Sequence, residues 1–265
     1  MLAPEGLVVY DIQDEPGQSG QARPFPFLPI VDPEVYAHEA LAELTIPKIV
    51  YRCVGAQPRE VFSSWIDTIR AGAERRLSVF VGAPRGRSRS PALPLTEAYA
   101  LARAAPNLVV GGIAIAERHV AKEDEHQRIL AKQDAGCRFF ITQSVYDAAS
   151  TKSLLSDYAL LSQAGGRSLA PMVLTFSPCG SVRTLEFMKW LGISFPRWLE
   201  NELRHSADTL ERSIDLCESV FTEVQDYARE KHLPIGINVE SVSIRKSEID
   251  ASVELYRRLS SRLGW

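Results

Sequence analysis

The sequence has no apolar run long enough to cross a bilayer: LVV at 108–110 and GGIAIA at 111–116 fall far short of the roughly 18 residues a span requires. No membrane partner is expected. Cysteine is scarce, with four residues at 53, 137, 179 and 217 and no C-x-x-C pair. That excludes a disulfide framework and the familiar zinc spacings, and it suits a reducing compartment. The N-terminal stretch MLAPEGLVVYDIQDEPG has no basic cluster ahead of its short apolar run, so no secretory signal is read and the cytoplasm is the expected location. An excess of one charge is lacking too. The 33 acidic and 30 basic residues leave a net charge of −3, which argues against nucleic acid as a partner.

What is present is the composition of an ordinary globular chain, 45% hydrophobic and 24% charged over 265 residues, and it excludes disorder as a whole-chain description. Seven short β-branched runs recur, each followed by a longer segment: LVVYDI (7–12), KIVYRCV (48–54), SVFVGA (78–83), LVVGGIAI (108–115), RFFITQ (138–143), MVLTFS (172–177) and IGINVES (235–241). Their interiors are nearly all apolar, as in parallel strands covered on both faces. Asp32-Pro33 and Gln57-Pro58 read as helix starts, Ser206 precedes a run with helical apolar spacing, and Ser247-x-x-Asp250 has the form of a capping box. Regular alternation predicts one parallel α/β domain over 1–265, either a TIM-type (β/α) barrel or an open doubly wound sheet, and a barrel needs eight strands where seven are visible. The proline-rich loop 16–33, with Phe25, Phe27 and Leu28, or a second subunit in a homo-oligomer, is expected to cover the open edge.

In a parallel barrel the chemistry sits at the C-terminal strand ends. That rule selects Asp11 and Asp14 after the first run, Arg52, Arg85, Glu117, His119, Gln143 and Glu240. Asp14 followed by Glu15-Pro16-Gly17 reads equally well as a solvated turn. Gln143 offers a donor and an acceptor together and can read a heterocyclic amide edge. His119, His126 and a neighbouring carboxylate could ligate a metal, but their order matches none of the spacings that carry a mechanism, so no metal is expected. Gly111-Gly112 lies inside a strand and lacks the third glycine of a dinucleotide fingerprint.

GGIAIAERH at 111–119 and KQDAGCRFFITQSVYD at 132–147 resemble the methylenetetrahydrofolate reductase family, whose fold is an eight-stranded α/β barrel. Pro171 and Pro178 match a further family segment, and the order agrees over most of residues 40–240. The resemblance implies that Gln143 binds the folate pterin and that Glu117, His119 and Lys132 lie where the family contacts its flavin.

Departures from the pattern matter as much. The family's R-G-D turn aligns with Val81-Gly82-Ala83, its Tyr-Pro pair becomes Ile115-Ala116, and the loop after His119 is short. FAD is therefore expected to bind weakly, with NAD(P)H as direct hydride donor. The family's first strand, carrying an S-x-E-F-F-P-P-like motif and the proton-donor Glu, has no counterpart here; either it lies upstream of Met1 or Asp11, Asp14 or Glu240 replaces that acid. Arg52, Arg85 and Arg118 offer cationic forks for the folate's negative tail. The expected function is a methylenetetrahydrofolate reductase-like oxidoreductase of one-carbon metabolism and methionine biosynthesis. The rivals are a non-catalytic or regulatory folate-binding homologue and a folate-dependent methyl-transfer component.

Overall fold

Seven of the β-branched runs form strands in the computed structural model, which describes residues 4–13, 23–82 and 93–263. They are β1 (Leu7–Val9), β2 (Lys48–Cys53), β3 (Arg76–Val81), β4 (Leu108–Ala114), β5 (Phe139–Ser144), β6 (Met172–Phe176) and β7 (Ile235–Val239). The sheet runs in sequence order, β1 to β7, and the assigned registers are parallel. Helices follow the strands: a single turn α1 (Pro33–Val35), then α2 (Arg59–Ala71), α3 (Leu95–Ala102), α4 (Ala116–Lys122), α5 (Glu125–Asp134), α6 (Ala148–Ala164), α7 (Val182–Trp190), α8 (Arg197–His205), α9 (Thr209–Glu230) and α10 (Lys246–Leu263). This is the TIM-type (β/α) plan with seven strands among the described residues.

The helix signals hold unevenly. Asp32 caps α1 through Glu34 N and Val35 N, at 2.9 and 3.2 Å, but the helix lasts one turn before a wider π-turn at Tyr36–Ala40. Pro58 sits at the N-cap of α2, one place outside the helix. Asp208, not Ser206, caps α9 by accepting from Glu211 N (3.0 Å), because Ser206 bonds within the preceding turn. Ser247 lies inside the first turn of α10, so the capping box does not form.

The described residues divide into two compact units. One comprises the described parts of 1–16, 27–113 and 131–139, the other those of 17–26, 114–130 and 140–265. In the first, Phe62, Ile66 and Ile69 form one buried stripe of α2, and Phe62 and Trp65 pack with Phe80 of β3 at ring separations of 5.3 and 6.1 Å. In the second, Phe176 of β6 meets Phe221 of α9 edge-on at 5.7 Å. Phe25 packs there against Phe187 of α7 at 5.2 Å.

All four cysteines are buried free thiols. Burial pushes Cys137 up to about 11 and Cys179 and Cys217 to about 12. A folded thiol above its unfolded value of about 8.5 contributes stability that is complete below that value and lost as pH climbs to the folded one. We therefore expect the urea midpoint to fall on moving from about pH 8.5 towards 11. Iodoacetamide at about pH 8 should leave the native thiols unlabelled until denaturant is added. Labelling at the rate of a free thiol would overturn both statements.

Candidate functional site

Strand β5 carries one extra residue near its end. Ile141 pairs with Val173, but Ser144 pairs with Thr175, so Thr142 and Gln143 together face Leu174. Such a bulge bends the strand and re-aims a side chain. The Thr142 hydroxyl accepts from Thr175 N at 2.9 Å, filling the ladder position that the bulge disrupts. Gln143 is left with its Nε2 donating to the Leu191 carbonyl at 2.9 Å and its Oε1 buried without a hydrogen-bond partner.

Leu191 begins the turn that follows α7. Gly192 there adopts φ 93°, a left-handed conformation that favours glycine, and the turn leads on to Ser194 and Phe195. Glu117, in the first turn of α4, accepts from Ser194 N at 3.1 Å, and Phe195 packs on Tyr146 at 4.4 Å. Segment 191–195 is thus fastened to the ends of β4 and β5 by the two side chains that sequence reading places at a folate and flavin site. Glu117, Gln143, Tyr146 and Asp147 line one narrow cleft. Burial raises the Glu117 carboxyl above its ordinary range, opposed by the Ser194 amide and reinforced by the charge of Asp147. Asp147 itself caps α6, accepting from Ser150 N at 3.1 Å.

Glu240, just past β7, joins a chain of hydroxyls. Ser144 Oγ donates to Ser177 Oγ at 3.1 Å, which donates to Glu240 Oε1 at 3.2 Å. This links the ends of β5, β6 and β7. In the first unit, Asp11 accepts from Cys53 N at 2.6 Å and from Gln13 Nε2 at 2.5 Å. Arg52 is buried over the Trp65 ring at 4.1 Å, donates to Gln57 Oε1 at 3.0 Å and pairs with Glu34 at 3.9 Å. Burial lowers its pKa, against the pull of Glu34. Its two terminal nitrogens are thereby engaged within the protein, while Nε is buried without a hydrogen-bond partner. Asp14 and Arg85 lie outside the described residues.

The residues that the resemblance assigns to flavin are likewise committed. Lys132 Nζ donates to the Ile113 carbonyl at 2.5 Å, and His119 Nε2 meets Asp157 Oδ2 at 3.1 Å while its ring lies edge-on to His126. With Glu117 held by Ser194, these three side chains do not fit a flavin. Sequence reading missed Leu191, Ser194 and Asp157: the first two act through backbone groups, and Asp157 is one polar position on an otherwise ordinary helix.

No helix among the described residues is long and apolar enough to cross a membrane. No protein-family model matches the sequence, and no curated protein matches it. Among solved structures, an uncharacterized protein from Clostridium thermocellum that binds two copies of 5-methyl-5,6,7,8-tetrahydrofolic acid superposes with a TM-score of 0.81 at 44% identity, over 96% of this chain and 82% of that one. Identity at that level over most of both chains shows common descent as well as a common fold, and the chain belongs to the family of that Clostridium thermocellum protein.

Proposed function

We propose that this protein binds a reduced folate of the 5-methyltetrahydrofolate class, with Gln143 reading the pterin edge. The observation that carries the reading is the buried, unpartnered Gln143 Oε1 in a chain 44% identical to a folate-binding protein. An unsatisfied buried carbonyl costs about 1–3 kcal/mol, which a pterin N–H donor would recover on binding. The test is calorimetric titration with 5-methyltetrahydrofolate. Saturable binding is expected, weakened about tenfold in Gln143→Ala, equivalent to about 1.4 kcal/mol. Absence of binding sinks the reading, and an unchanged dissociation constant in the variant removes Gln143 from it.

A second reading adds a reaction: reduction of 5,10-methylenetetrahydrofolate as in methylenetetrahydrofolate reductase, without flavin. The hydroxyl chain Ser144–Ser177–Glu240 favours it: the hydroxyls donate towards Glu240, and once that carboxyl carries a proton and the hydroxyls rotate, the same chain can pass the proton back towards the strand end that holds Gln143. Glu240 would protonate the departing ring nitrogen as its bond to the methylene carbon breaks, leaving an electrophilic iminium. Completion of the methyl group would need a hydride from NAD(P)H, which would be released as the oxidised nicotinamide. Colourless protein that oxidises NAD(P)H on addition of methylene-folate, and stops doing so in Glu240→Gln, supports this step. Folate binding without nicotinamide oxidation leaves a binding or regulatory protein, the role favoured by the internal bonds of Glu117, His119 and Lys132.

A further inference from the structure

Three helices that follow the ends of β4 and β5 bring together side chains for which the folate reading has no use. His119 lies on α4, His126 on α5 and Asp157 on α6, and one ligand atom from each falls within 4.8 Å of the others. We propose that these three residues form a site for a divalent transition-metal ion of which zinc is the best match.

Two imidazoles and one carboxylate form a nitrogen–oxygen donor set of the kind that suits zinc and its neighbours. The contact between His119 Nε2 and Asp157 Oδ2, 3.1 Å, is close to the edge of a tetrahedron with bonds of about 2.0–2.1 Å. Each imidazole keeps one nitrogen that the protein does not satisfy. Nδ1 of His119 and Nδ1 of His126 are both buried without a hydrogen-bond partner, and the two rings stand edge-on with centroids 5.2 Å apart. An imidazole gives one nitrogen to one ion, so with His119 engaged through Nε2 the buried, unpaired Nδ1 of His126 is the atom that calls for a partner the protein does not supply.

Rigidity and access complete the case. His119 is only 4% exposed, so packing fixes its ring before any ion arrives. Asp157 is half-exposed and opens onto a surface cavity of about 710 Å³, lined also by Glu123, Lys152 and Tyr227, which supplies an entry path. Three protein ligands leave one tetrahedral position for water or for an anionic group bound in that cavity. Glu123, held at φ 52° at the C-cap of α4, places a further carboxylate at the same cavity. The ion would fasten α4, whose first turn carries Glu117, to α6, whose cap is Asp147.

The test is titration of zinc(II) into chelator-treated protein by calorimetry, with cobalt(II) as a spectroscopic substitute. One equivalent should bind, and cobalt should give the visible absorption of four-coordinate nitrogen–oxygen ligation. His126→Ala and Asp157→Asn, both at accessible positions, should each weaken zinc by at least about 100-fold, the upper end of the loss seen for outer-shell partners. His205→Ala, on α8, should leave the affinity unchanged. Circular dichroism and a thermal melt of the two ligand variants establish that they fold. Absence of saturable zinc binding overturns the site, as does equal affinity in wild type, His126→Ala and Asp157→Asn. Folate binding is read separately, so the two readings stand or fall independently.

Discussion

Replacing Arg118 by alanine is expected to destabilise the protein by about 3 kcal/mol, because it strands a buried charge. The Glu125 carboxylate is fully buried, and Arg118 Nη1 meets its two oxygens at 2.9 and 3.3 Å. Arg128, at 4.0 Å, is the other cation within ion-pair distance among the described residues. The cost of breaking such a pair falls on the member left behind. Glu125→Gln should therefore be the milder change, since it removes the charge, keeps the shape and retains an oxygen to accept from Ile115 N. At roughly 2–4 °C per kcal/mol for a chain of this size, Arg118→Ala should lower the melting temperature by about 6–12 °C. A variant that melts within about 2 °C of wild type, or a Glu125→Gln variant that melts lower than Arg118→Ala, would contradict the assignment. Sequence reading offered Arg118 as a fork for a folate tail; the structure spends that fork on Glu125.

Gly111→Ala should cost about 3 kcal/mol, the upper end for overpacking. A Cβ at Gly111 would stand 2.5 Å from two atoms of the Phe139 ring, and that ring is itself buried in the sheet. Relief requires the ring to leave its rotamer or β4 to shift in its ladder, where Val79 pairs with Gly111. The measurement is equilibrium urea unfolding, and the natural rescue is Phe139→Leu in the same background, which should return part of the loss. Near-neutral stability of the single variant would show that the ring has room to move. Gly111 thus has a packing reason within β4 and need not be read as part of a dinucleotide turn.

The strands were legible because a buried parallel strand is written as a continuous β-branched run. All seven observed strands fall within or beside the runs read from sequence, with β3 beginning two residues earlier than its run. Caps were read less well. Proline and serine mark the neighbourhood of a helix start, but which residue accepts the first amide depends on the turn before it, as Ser206 and Asp208 show. Within the site, Gln143 stood out by its place in the second block. The segment that fastens onto it did not, because Leu191 and Ser194 contribute a carbonyl and an amide that every residue possesses. The cluster of His119, His126 and Asp157 was half visible: both histidines were considered, but Asp157 arrives from the next β-α unit, beyond the reach of spacing rules.

The extra residue in β5 gives that strand two counting phases. Inner and outer faces alternate every second residue, so whatever follows Thr142 is out of step with what precedes it. Three features lie at or beyond the bulge: the outlook of Gln143, the Ser144 hydroxyl donating to Ser177, and the Tyr146 hydroxyl donating to the Ser177 carbonyl. Deleting Thr142 would restore an unbroken ladder with Ser144 still opposite Thr175, but it would remove the hydroxyl that accepts from Thr175 N and set Gln143 in regular register opposite Leu174, ending its present outlook. The bulge thus sets the outlook of Gln143, while the pairing of Ser144 with Thr175 holds the hydroxyl chain beyond it in place.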